Sequence, residues 1–190
     1  MSDLLIGVYG ASGFGKEVMP LVRQQYPNLD KENFVFIDDG QENKALNGYS
    51  VLSYSEFIAK SNSDKAVTIA IANSQVREKL TLRLTENGIH HINVKATNTV
   101  ILDEVEMGEG SLLCPFTCLT SNIKIGKFFH ATIYSYVAHD CIIGDYVTFA
   151  PGVKCNGNIH IEDHAYIGTG AVIKQGTPDK PVVIGRGAVI

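Results

Sequence analysis

Hydrophobic side chains recur at every sixth position through the second half of the chain. Glycines share this rhythm, because Gly108, Gly126 and Gly144 each follow a member of the series and lie eighteen residues apart. A six-residue period within an eighteen-residue period predicts a parallel β-helix, in which three short faces close one triangular coil around stacked side chains. Thirteen residues form the unbroken series: Ile101, Met107, Leu113, Leu119, Ile125, Ala131, Val137, Ile143, Phe149, Cys155, Ile161, Ile167 and Ile173.

A second row of small or aliphatic residues lies two positions before the six-residue series. Cys155 belongs to the series and Cys141 to the second row, so both are expected inside the coils as small hydrophobic side chains. The series resumes only at Ile184 and Ile190, which predicts a projecting loop over Gln175–Pro181. The chain stops in mid-coil without a terminal cap, so the C-terminus is expected to be incomplete.

The first 95 residues follow a different pattern, in which apolar strands alternate with helical stretches. Strands are predicted over Leu4–Tyr9, Asn33–Ile37 and Ala66–Ala72, and helices over about 16–26, 56–60 and 74–87. This alternation predicts a small parallel sheet with right-handed crossovers, the arrangement of half a Rossmann fold. We therefore expect an α/β domain over residues 1–95 and a β-helix domain over residues 96–190.

Composition excludes several classes of function. A net charge of −4 and a pI near 5.8 leave no basic stripe for the phosphates of a nucleic acid. The opening residues lack the basic region of a signal peptide, and no apolar run reaches the roughly eighteen residues that cross a membrane. The four cysteines fit neither a zinc spacing nor a disulfide framework. We expect a cytoplasmic protein with reduced cysteines and no membrane insertion.

The glycine-rich turn after the first strand predicts an anion site. Gly10 and Gly13 let a phosphate approach the backbone, and the following helix N-terminus favours negative charge. The turn is not a Walker A loop, because Glu17 stands where a hydroxyl would hold magnesium, and its glycine spacing departs from the dinucleotide fingerprint. Asp38 and Asp39 end the second strand, where a carboxylate commonly binds a ribose or base. A nucleotide diphosphate fits best, and a purely structural turn stays the alternative.

One of the six histidines is a candidate for catalysis. His160 and His164 have the spacing of two zinc ligands on a helix, but this segment is β-helical and shows no third ligand, so no metal is expected. His139 lies two positions after Val137, outside the inward rows, and directly before Asp140. A neighbouring carboxylate raises imidazole basicity and can fix the tautomer, which suits a general base. A solvated surface histidine is the alternative.

Motifs in both halves resemble one known family. The six-residue series resembles the left-handed β-helix, or hexapeptide-repeat, acyltransferases. Within them, the chain is most similar to the nucleotide-sugar N-acetyltransferases of the bacillosamine and perosamine type, which are grouped with the sialic acid O-acetyltransferase-like proteins. The matching motifs are Gly-Ala-Ser-Gly-x-Gly-Lys at 10–16, Phe-Ile-Asp-Asp at 36–39, Ile-Ala-Asn-x-x-x-Arg at 71–77, Val-Ala-His-Asp-Cys-Ile-Ile-Gly at 137–144 and Lys-Cys-Asn-Gly-Asn at 154–158.

This resemblance implies an N-acetyltransferase that uses acetyl-CoA, without a metal, to acetylate a nucleotide-linked amino-dideoxy sugar for surface glycan synthesis. It implies a nucleotide-sugar-binding first domain, a left-handed β-helix acyltransferase second domain, and a homotrimer with active sites between subunits. His139 is then the general base for the attacking sugar amine, with Asp140 supporting its imidazole. The resemblance assigns the nucleotide to Gly10, Ser12, Gly13, Asp38, Asp39, Asn73 and Arg77, and acetyl-CoA to Gly157, Gly168 and Thr169.

The chain also departs from the family pattern near the expected site. Thr132 stands where relatives often carry an asparagine, and Tyr134 and Tyr136 stand where many carry small residues, so the sugar pocket is expected to differ. Two other functions stay open: a sugar O-acetyltransferase of the same fold, and a non-catalytic nucleotide-binding or assembly module. The sequence does not distinguish UDP, GDP and dTDP as the nucleotide.

Overall fold

The structure, a computed structural model, describes residues 3–41 and 43–190. It divides into two compact units, Met1–Val94 and Lys95–Ile190. The first unit contains a 3-10 turn at Lys31–Asn33 and the following strands and helices: β1 Leu4–Tyr9, α1 Gly13–Gln25, β2 Phe34–Ile37, β3 Ala45–Leu46, β4 Tyr49–Leu52, α2 Tyr54–Ala59, β5 Asp64–Ile69, α3 Ser74–Glu86 and β6 His90–His91.

The sheet of the first unit has β1 at its centre. Its strand order is β3-β4-β2-β1-β5-β6, with β1 parallel to both β2 and β5. Residues Leu5–Tyr9 are all buried, as expected for a parallel strand that is covered on both faces. The carboxyl ends of β1 and β2 therefore come together, and the glycine turn and the acidic pair follow them.

Two helices of the first unit begin before the predicted residues, α1 at Gly13 and α2 at Tyr54, whereas α3 begins at residue 74 as predicted. Ser53 caps α2, because Ser53 and Glu56 form a reciprocal capping box. Asn73 caps α3, and its side chain accepts a hydrogen bond from the Val76 N–H. The antiparallel β3–β4 hairpin was not predicted, although its Asn-Gly turn is a strong hairpin signal.

The second unit is a left-handed parallel β-helix of short strands. These strands form three five-stranded sheets, in which strands eighteen residues apart pair, as in Leu113 with Ala131 and Ala131 with Phe149, whereas the pairing of Ile161 with Ile184 spans the longer excursion. The strands are β7 Val94–Lys95, β8 Val100–Ile101, β9 Val105–Met107, β10 Leu112–Leu113, β11 Cys118–Leu119, β12 Ile123–Ile125, β13 His130–Ala131, β14 Tyr136–Val137, β15 Ile142–Ile143, β16 Thr148–Phe149, β17 Lys154–Cys155, β18 Ile159–Ile161, β19 Tyr166–Ile167, β20 Val172–Ile173 and β21 Val182–Ile184.

The six-residue series forms the core of these coils, which confirms the fold prediction. Its members from Leu113 to Ile173 are buried, and Cys141 and Cys155 lie inside as expected. The excursion after Ile173 is also confirmed, since β21 returns to register with β18 through Ile184 opposite Ile161. Burying these stacked side chains is the main stabilising term of the unit.

Left-handed backbone conformations mark the corners of the coils. Each corner repeats every eighteen residues, so side chains of one corner stack in a column along the prism. One column holds the rings of Phe128, Tyr146 and His164 in successive stacked contacts. The column beside His139, which we call the polar corner, contains Glu104, Asn122, Asp140 and Asn158, each with φ between 55° and 57°. Asparagine and aspartate tolerate this conformation better than most residues.

Candidate functional site

His139 lies on the turn between β14 and β15, and neighbouring coils hold this turn from both sides. The His139 carbonyl accepts a hydrogen bond from the Asn158 N–H at 3.0 Å, one coil further along the prism. The Asp140 N–H donates to the Ser121 carbonyl at 3.1 Å, one coil earlier. Val137 anchors the start of the turn in the core. The backbone of the turn is therefore fixed, while the two side chains point outward.

The side chains of His139 and Asp140 form a hydrogen-bonded pair. The distance from His139 Nδ1 to Asp140 Oδ2 is 2.7 Å, and each side chain is about half exposed. Hydrogen bonds from His139 and then from Asn122 hold the pKa of Asp140 below its usual range. Because an ionised carboxylate only accepts, Nδ1 carries the proton of the neutral imidazole and Nε2 keeps its lone pair. This tautomer can act as a base at Nε2.

Gly157 lies directly against the imidazole of His139. A Cβ atom at this position would be 2.5 Å from His139 Cε1 and 2.6 Å from Nε2, so only glycine leaves room for the ring. Among the described residues, no hydrogen-bond acceptor is found for the Gly157 N–H. The structure thus brings together the two sequence-predicted elements of the acyl-transfer site, His139 and the Gly157 backbone.

The cysteine next to this turn has no access to a substrate. Cys141 is fully buried, and its thiol donates to the carbonyl of Asn156 at 3.2 Å.

Asn122 was not predicted as a site residue, yet its side chain donates to the second oxygen of Asp140. The available signal was the eighteen-residue spacing of Asn122, Asp140 and Asn158, which places them at one corner.

Gly168 and Thr169, predicted to contact acetyl-CoA, lie at another corner of the prism. The Gly168 N–H donates to the Ile190 carbonyl at 2.7 Å, and a Cβ atom on Gly168 would approach that oxygen to 2.8 Å. Thr169 is exposed on the same turn. The face formed by β14, β17 and β20 separates this turn from the polar corner along the chain. Gly168 therefore holds the last coil in place, and Thr169 remains accessible.

The glycine turn of the first unit leaves an open helix N-terminus. Gly10 adopts φ 109°, and a Cβ atom there would lie 2.8 Å from the Ala70 carbonyl oxygen. Ser12 is the N-cap of α1, but its side chain makes no capping hydrogen bond, and the space around the Gly13 Cβ position is empty. The first amides of α1 are thus accessible to an anion, which the helix dipole favours.

The acidic pair at the end of β2 is engaged in hydrogen bonds within the unit. Asp38 accepts from the Ala11 N–H and from the Gly40 N–H, both at 2.9 Å, and so ties the glycine turn to β2. Asp39 accepts from the Tyr54 N–H at 2.7 Å and from the Tyr9 hydroxyl at 2.9 Å. These carboxylates shape the edge where the sequence placed the nucleotide.

Asp39 also forms an ion pair with Arg83, whose Nη1 lies 3.3 Å from Oδ2. Burial alone would raise the pKa of Asp39, but the hydrogen bonds from Tyr54 and Tyr9, together with Arg83, lower it below its usual range. Burial and then the hydrogen bond to Asp39 raise the pKa of Tyr9. Arg83 was not predicted as a site residue, because it lies on α3 six residues beyond the end of the motif at 71–77.

Asn73 and Arg77 were also predicted to bind the nucleotide. In the structure, the hydrogen bonds of their side chains hold the loop after β5 and the start of α3 in place. The Asn73 side chain caps α3 through the Val76 N–H at 3.0 Å. Arg77 is fully buried, and its Nη1 donates to the carbonyls of Ile71 at 2.8 Å and Ala72 at 3.1 Å. A sequence motif identifies such residues but does not give the direction of their side chains.

In residues 3–41 and 43–190, no group of three or more His, Cys, Asp or Glu side chains is arranged to hold a metal ion. Among the helices of the same residues, none is both long enough and apolar enough to span a bilayer.

A six-residue repeat folded as a left-handed β-helix, with an outward His–Asp pair against a glycine, defines the class of hexapeptide-repeat acyltransferases. The family model of the PglD N-terminal domain matches residues 5–84. The GDP-perosamine N-acetyltransferase of Escherichia coli O157:H7 is 46% identical over 185 residues, which cover 96% of this chain and 84% of that protein. The chain belongs to the nucleotide-sugar N-acetyltransferases of this superfamily and is an acyltransferase, which confirms the resemblance.

Solved structures show the same architecture. WeeI from Acinetobacter baumannii AYE is 78% identical, with a TM-score of 0.97 over 98% of this chain and 88% of that chain. The acetyltransferase domain of PglB from Neisseria gonorrhoeae FA1090, in complex with acetyl coenzyme A, has 18% identity and a TM-score of 0.73 over 100% of this chain and 96% of that domain. At that lower identity the similarity concerns the fold alone.

Proposed function

We propose that this enzyme transfers the acetyl group of acetyl-CoA to the amino group of a nucleotide-linked amino-dideoxy sugar, with GDP-perosamine as the first candidate. The observation that carries the proposal is the His139–Asp140 pair, which leaves Nε2 of an exposed imidazole without a hydrogen-bond partner among the residues that the structure describes. The identity of 46% to a GDP-perosamine N-acetyltransferase over almost the whole chain supports the choice of acceptor.

His139 acts as the general base in this reaction. The sugar amine attacks the thioester carbonyl carbon, a C–N bond forms, and Nε2 removes a proton from the amine nitrogen. The tetrahedral intermediate then expels the CoA thiolate by breaking the C–S bond, and the protonated imidazole returns the proton to sulfur. Asp140 holds Nδ1–H throughout and stabilises the transient imidazolium, so the enzyme ends the cycle unchanged.

The Gly157 N–H stabilises charge that develops in the same step. Gly157 packs against the His139 ring, and its N–H has no acceptor among the described residues, so a thioester oxygen or sulfur can accept from it. A fixed backbone amide costs no reorganisation when the charge appears. Thr169 and Gly168 line the path of the pantetheine arm from their own corner in this proposal.

The first unit holds the nucleotide part of the acceptor. The diphosphate binds the open amides at Ser12 and Gly13, where the helix N-terminus compensates its charge. Gly10 contributes the tight turn and not its amide, since its N–H donates to the Ile37 carbonyl at 2.8 Å. Asp38 and Asp39 hold the neighbouring edge for the ribose or base, while Asn73 and Arg77 support the adjacent loop. The product then enters surface glycan synthesis in the cytoplasm.

We also propose that the active site lies between subunits of a homotrimer. His139 is exposed on the outside of its own prism, so a second wall is needed to exclude water from the thioester. A neighbouring copy of the β-helix is the simplest source of that wall.

An acetyl-transfer assay with matched acceptors tests the function. The full chain is incubated with acetyl-CoA and with GDP-, UDP- or dTDP-linked 4-amino sugars, and products are read by mass spectrometry alongside thiol release. One amine is expected to gain a single acetyl group. The corresponding hydroxy sugar nucleotides are tested in parallel, and faster acetylation of these would establish the O-acetyltransferase instead. No transfer to any acceptor, with no thermal stabilisation by acetyl-CoA at millimolar concentration, would favour a non-catalytic module.

A further inference from the structure

Three side chains form a continuous hydrogen-bonded line at the polar corner. Asn122 Nδ2 donates to Asp140 Oδ1 at 3.2 Å, and Asp140 Oδ2 accepts from His139 Nδ1 at 2.7 Å. Each oxygen of the carboxylate therefore has one partner, an amide on one side and the imidazole on the other. The line ends at His139 Nε2, the atom that accepts the proton in the proposed reaction.

The fold, not chance proximity, places Asn122 beside Asp140. The two residues are eighteen positions apart, so they occupy the same corner of successive coils, with φ of 56° and 57°. The Asn122 N–H donates to the Asp103 carbonyl at 3.2 Å, and the Asp140 N–H donates to the Ser121 carbonyl at 3.1 Å. Both backbones are thus fixed before their side chains meet.

A carboxylate with one partner can rotate, and rotation would release the imidazole. Asp140 is half exposed, so water competes for both of its oxygens. An amide that holds Oδ1 restricts this rotation and leaves Oδ2 aimed at Nδ1. Within residues 3–41 and 43–190, the side chains that hydrogen-bond to Asp140 are those of His139 and Asn122, and both hydrogen bonds lower its pKa.

We propose that Asn122 is a positioning residue for the general base and acts through Asp140. This inference rests on the proposed function, because it assumes that His139 Nε2 takes the proton of the sugar amine. Asn122 fixes the orientation of the Asp140 carboxylate, and the carboxylate favours the Nδ1–H tautomer of His139. The fraction of imidazole in that tautomer determines how often Nε2 can accept the proton of the amine.

The other residues of the polar corner show that position alone does not produce this role. Asn158 has the same φ of 56°, but it is buried, and its N–H donates to the His139 carbonyl. Glu104 has φ 55° one coil before Asn122 and cannot donate to a carboxylate when ionised. Glu104 therefore supplies a matched control for a change at the same corner.

Two substitutions at Asn122 separate positioning from backbone geometry. Asn122→Gly keeps the left-handed conformation without strain but removes the amide. Asn122→Asp keeps the shape and also tolerates this conformation, but replaces the donor with an acceptor of the same charge as Asp140. If Asn122 served only the corner, both variants would retain wild-type activity. In the positioning role, both lose activity, and Asn122→Asp loses more.

The kinetic test measures kcat and both KM values for acetyl-CoA and the amino-sugar nucleotide. Asn122→Gly is expected to lower kcat about 5- to 30-fold with both KM values within about twofold, as for loss of one hydrogen bond to a charged group. Glu104→Gly is expected to retain wild-type kcat and KM values.

A measurement on the free protein keeps this inference separate from the proposed function. Ring-nitrogen NMR of His139 is expected to show Nδ1–H as the dominant neutral tautomer in the wild type and a mixed population in Asn122→Gly. If the wild type acetylates no amino sugar, the proposed function fails, while the tautomer shift still supports positioning by Asn122. An unchanged tautomer in Asn122→Gly overturns the inference, and so does unchanged kcat in an active enzyme.

Discussion

The backbone of Gly157 lies so close to the imidazole of His139 that a Cβ atom would reach within 2.5 Å of Cε1 and 2.6 Å of Nε2. The two residues belong to successive coils and are joined through Asn158, whose N–H donates to the His139 carbonyl. The imidazole ring of His139 thus packs directly on the backbone of Gly157. The same close approach brings the Gly157 backbone against the ring whose Nε2 is proposed to take the proton.

The substitution Gly157→Ala is expected to displace the imidazole. The added methyl group overlaps two ring atoms, so His139 must rotate away from Asp140 or the turn must move. A shift of about 1 Å at a reacting group can lower the rate by about 100-fold, and we expect a loss of kcat of that order. The measurement is steady-state acetyl transfer, with folding monitored by circular dichroism.

Gly185→Ala is the matched control for this substitution. It also lies in the β-helix, but its Cβ position meets only one atom, Glu162 Oε2, at 4.0 Å. Its turnover is expected to equal that of the wild type. Wild-type turnover in Gly157→Ala would contradict the packing of His139 against this glycine as a condition for catalysis.

Replacement of the general base is expected to remove most of the activity. His139→Asn keeps a polar side chain of smaller size over Gly157 but has no nitrogen that can accept a proton. General base catalysis contributes about 10²- to 10⁴-fold, so kcat should fall by that factor while the KM for the nucleotide sugar changes little. His160→Asn alters another histidine of the β-helix, on β18, and should leave kcat unchanged. Near-wild-type turnover in His139→Asn would exclude its assigned role.

The sequence was sufficient to predict the β-helix because the six-residue spacing of its core residues matches the length of one face of the coil. A side chain that points inward at residue 137 must do so again at 143 and 149, and each of these positions is buried. The same logic placed His139 outside and Cys141 inside. Periodicity gives the direction of a side chain only where the backbone repeats.

Outside the repeat, side-chain direction could not be predicted. The motif that contains Asn73 and Arg77 suggested two ligands, but one residue caps a helix and the other is buried among loop carbonyls. Asn122 was missed because no motif includes it, and its relation to Asp140 depends on two left-handed residues in adjacent coils. Such contacts depend on local dihedral angles that residue identity does not specify.

The carboxylate of Asp39 is expected to make the first unit less stable in acid. Its pKa is lowered in the folded state, so its stabilising contribution is complete above the unfolded pKa of about 3.9 and is lost as pH falls through the folded pKa. Because the side chain is half exposed, the contribution is about 1 kcal/mol after screening. Urea unfolding of the wild type and Asp39→Asn should therefore differ more at pH 7 than at pH 3.

Asp64→Asn serves as the control for the acid prediction. Asp64 is an exposed acid at the start of β5 in the same unit. Its substitution should leave the difference in unfolding free energy between pH 7 and pH 3 as in the wild type. If Asp39→Asn also keeps the full wild-type difference, the hydrogen bonds from Tyr9 and Tyr54 do not link stability to pH.

Two glycines at the start of α1, Gly13 and Gly15, are expected to respond in opposite ways when each is replaced by alanine and thermal stability is measured. At Gly15, an added Cβ would collide with the Gly10 carbonyl oxygen, so Gly15→Ala must push α1 away from the turn. Overpacking of this kind costs about 1–3 kcal/mol, and thermal unfolding should show a lower Tm. At Gly13, nothing lies within 4 Å of the Cβ position, and Gly13→Ala should keep or slightly raise Tm because alanine is the better helix former.

A measurement of nucleotide binding distinguishes a glycine turn that binds the diphosphate from one that serves only as a tight turn. In Gly13→Ala the new methyl group enters the open space at the first residue of α1, where the diphosphate is proposed to bind. Calorimetric titration with GDP should therefore show weaker binding in Gly13→Ala despite its intact stability. Unchanged GDP affinity in this variant would assign the glycines to the turn alone, and the diphosphate would have to bind elsewhere.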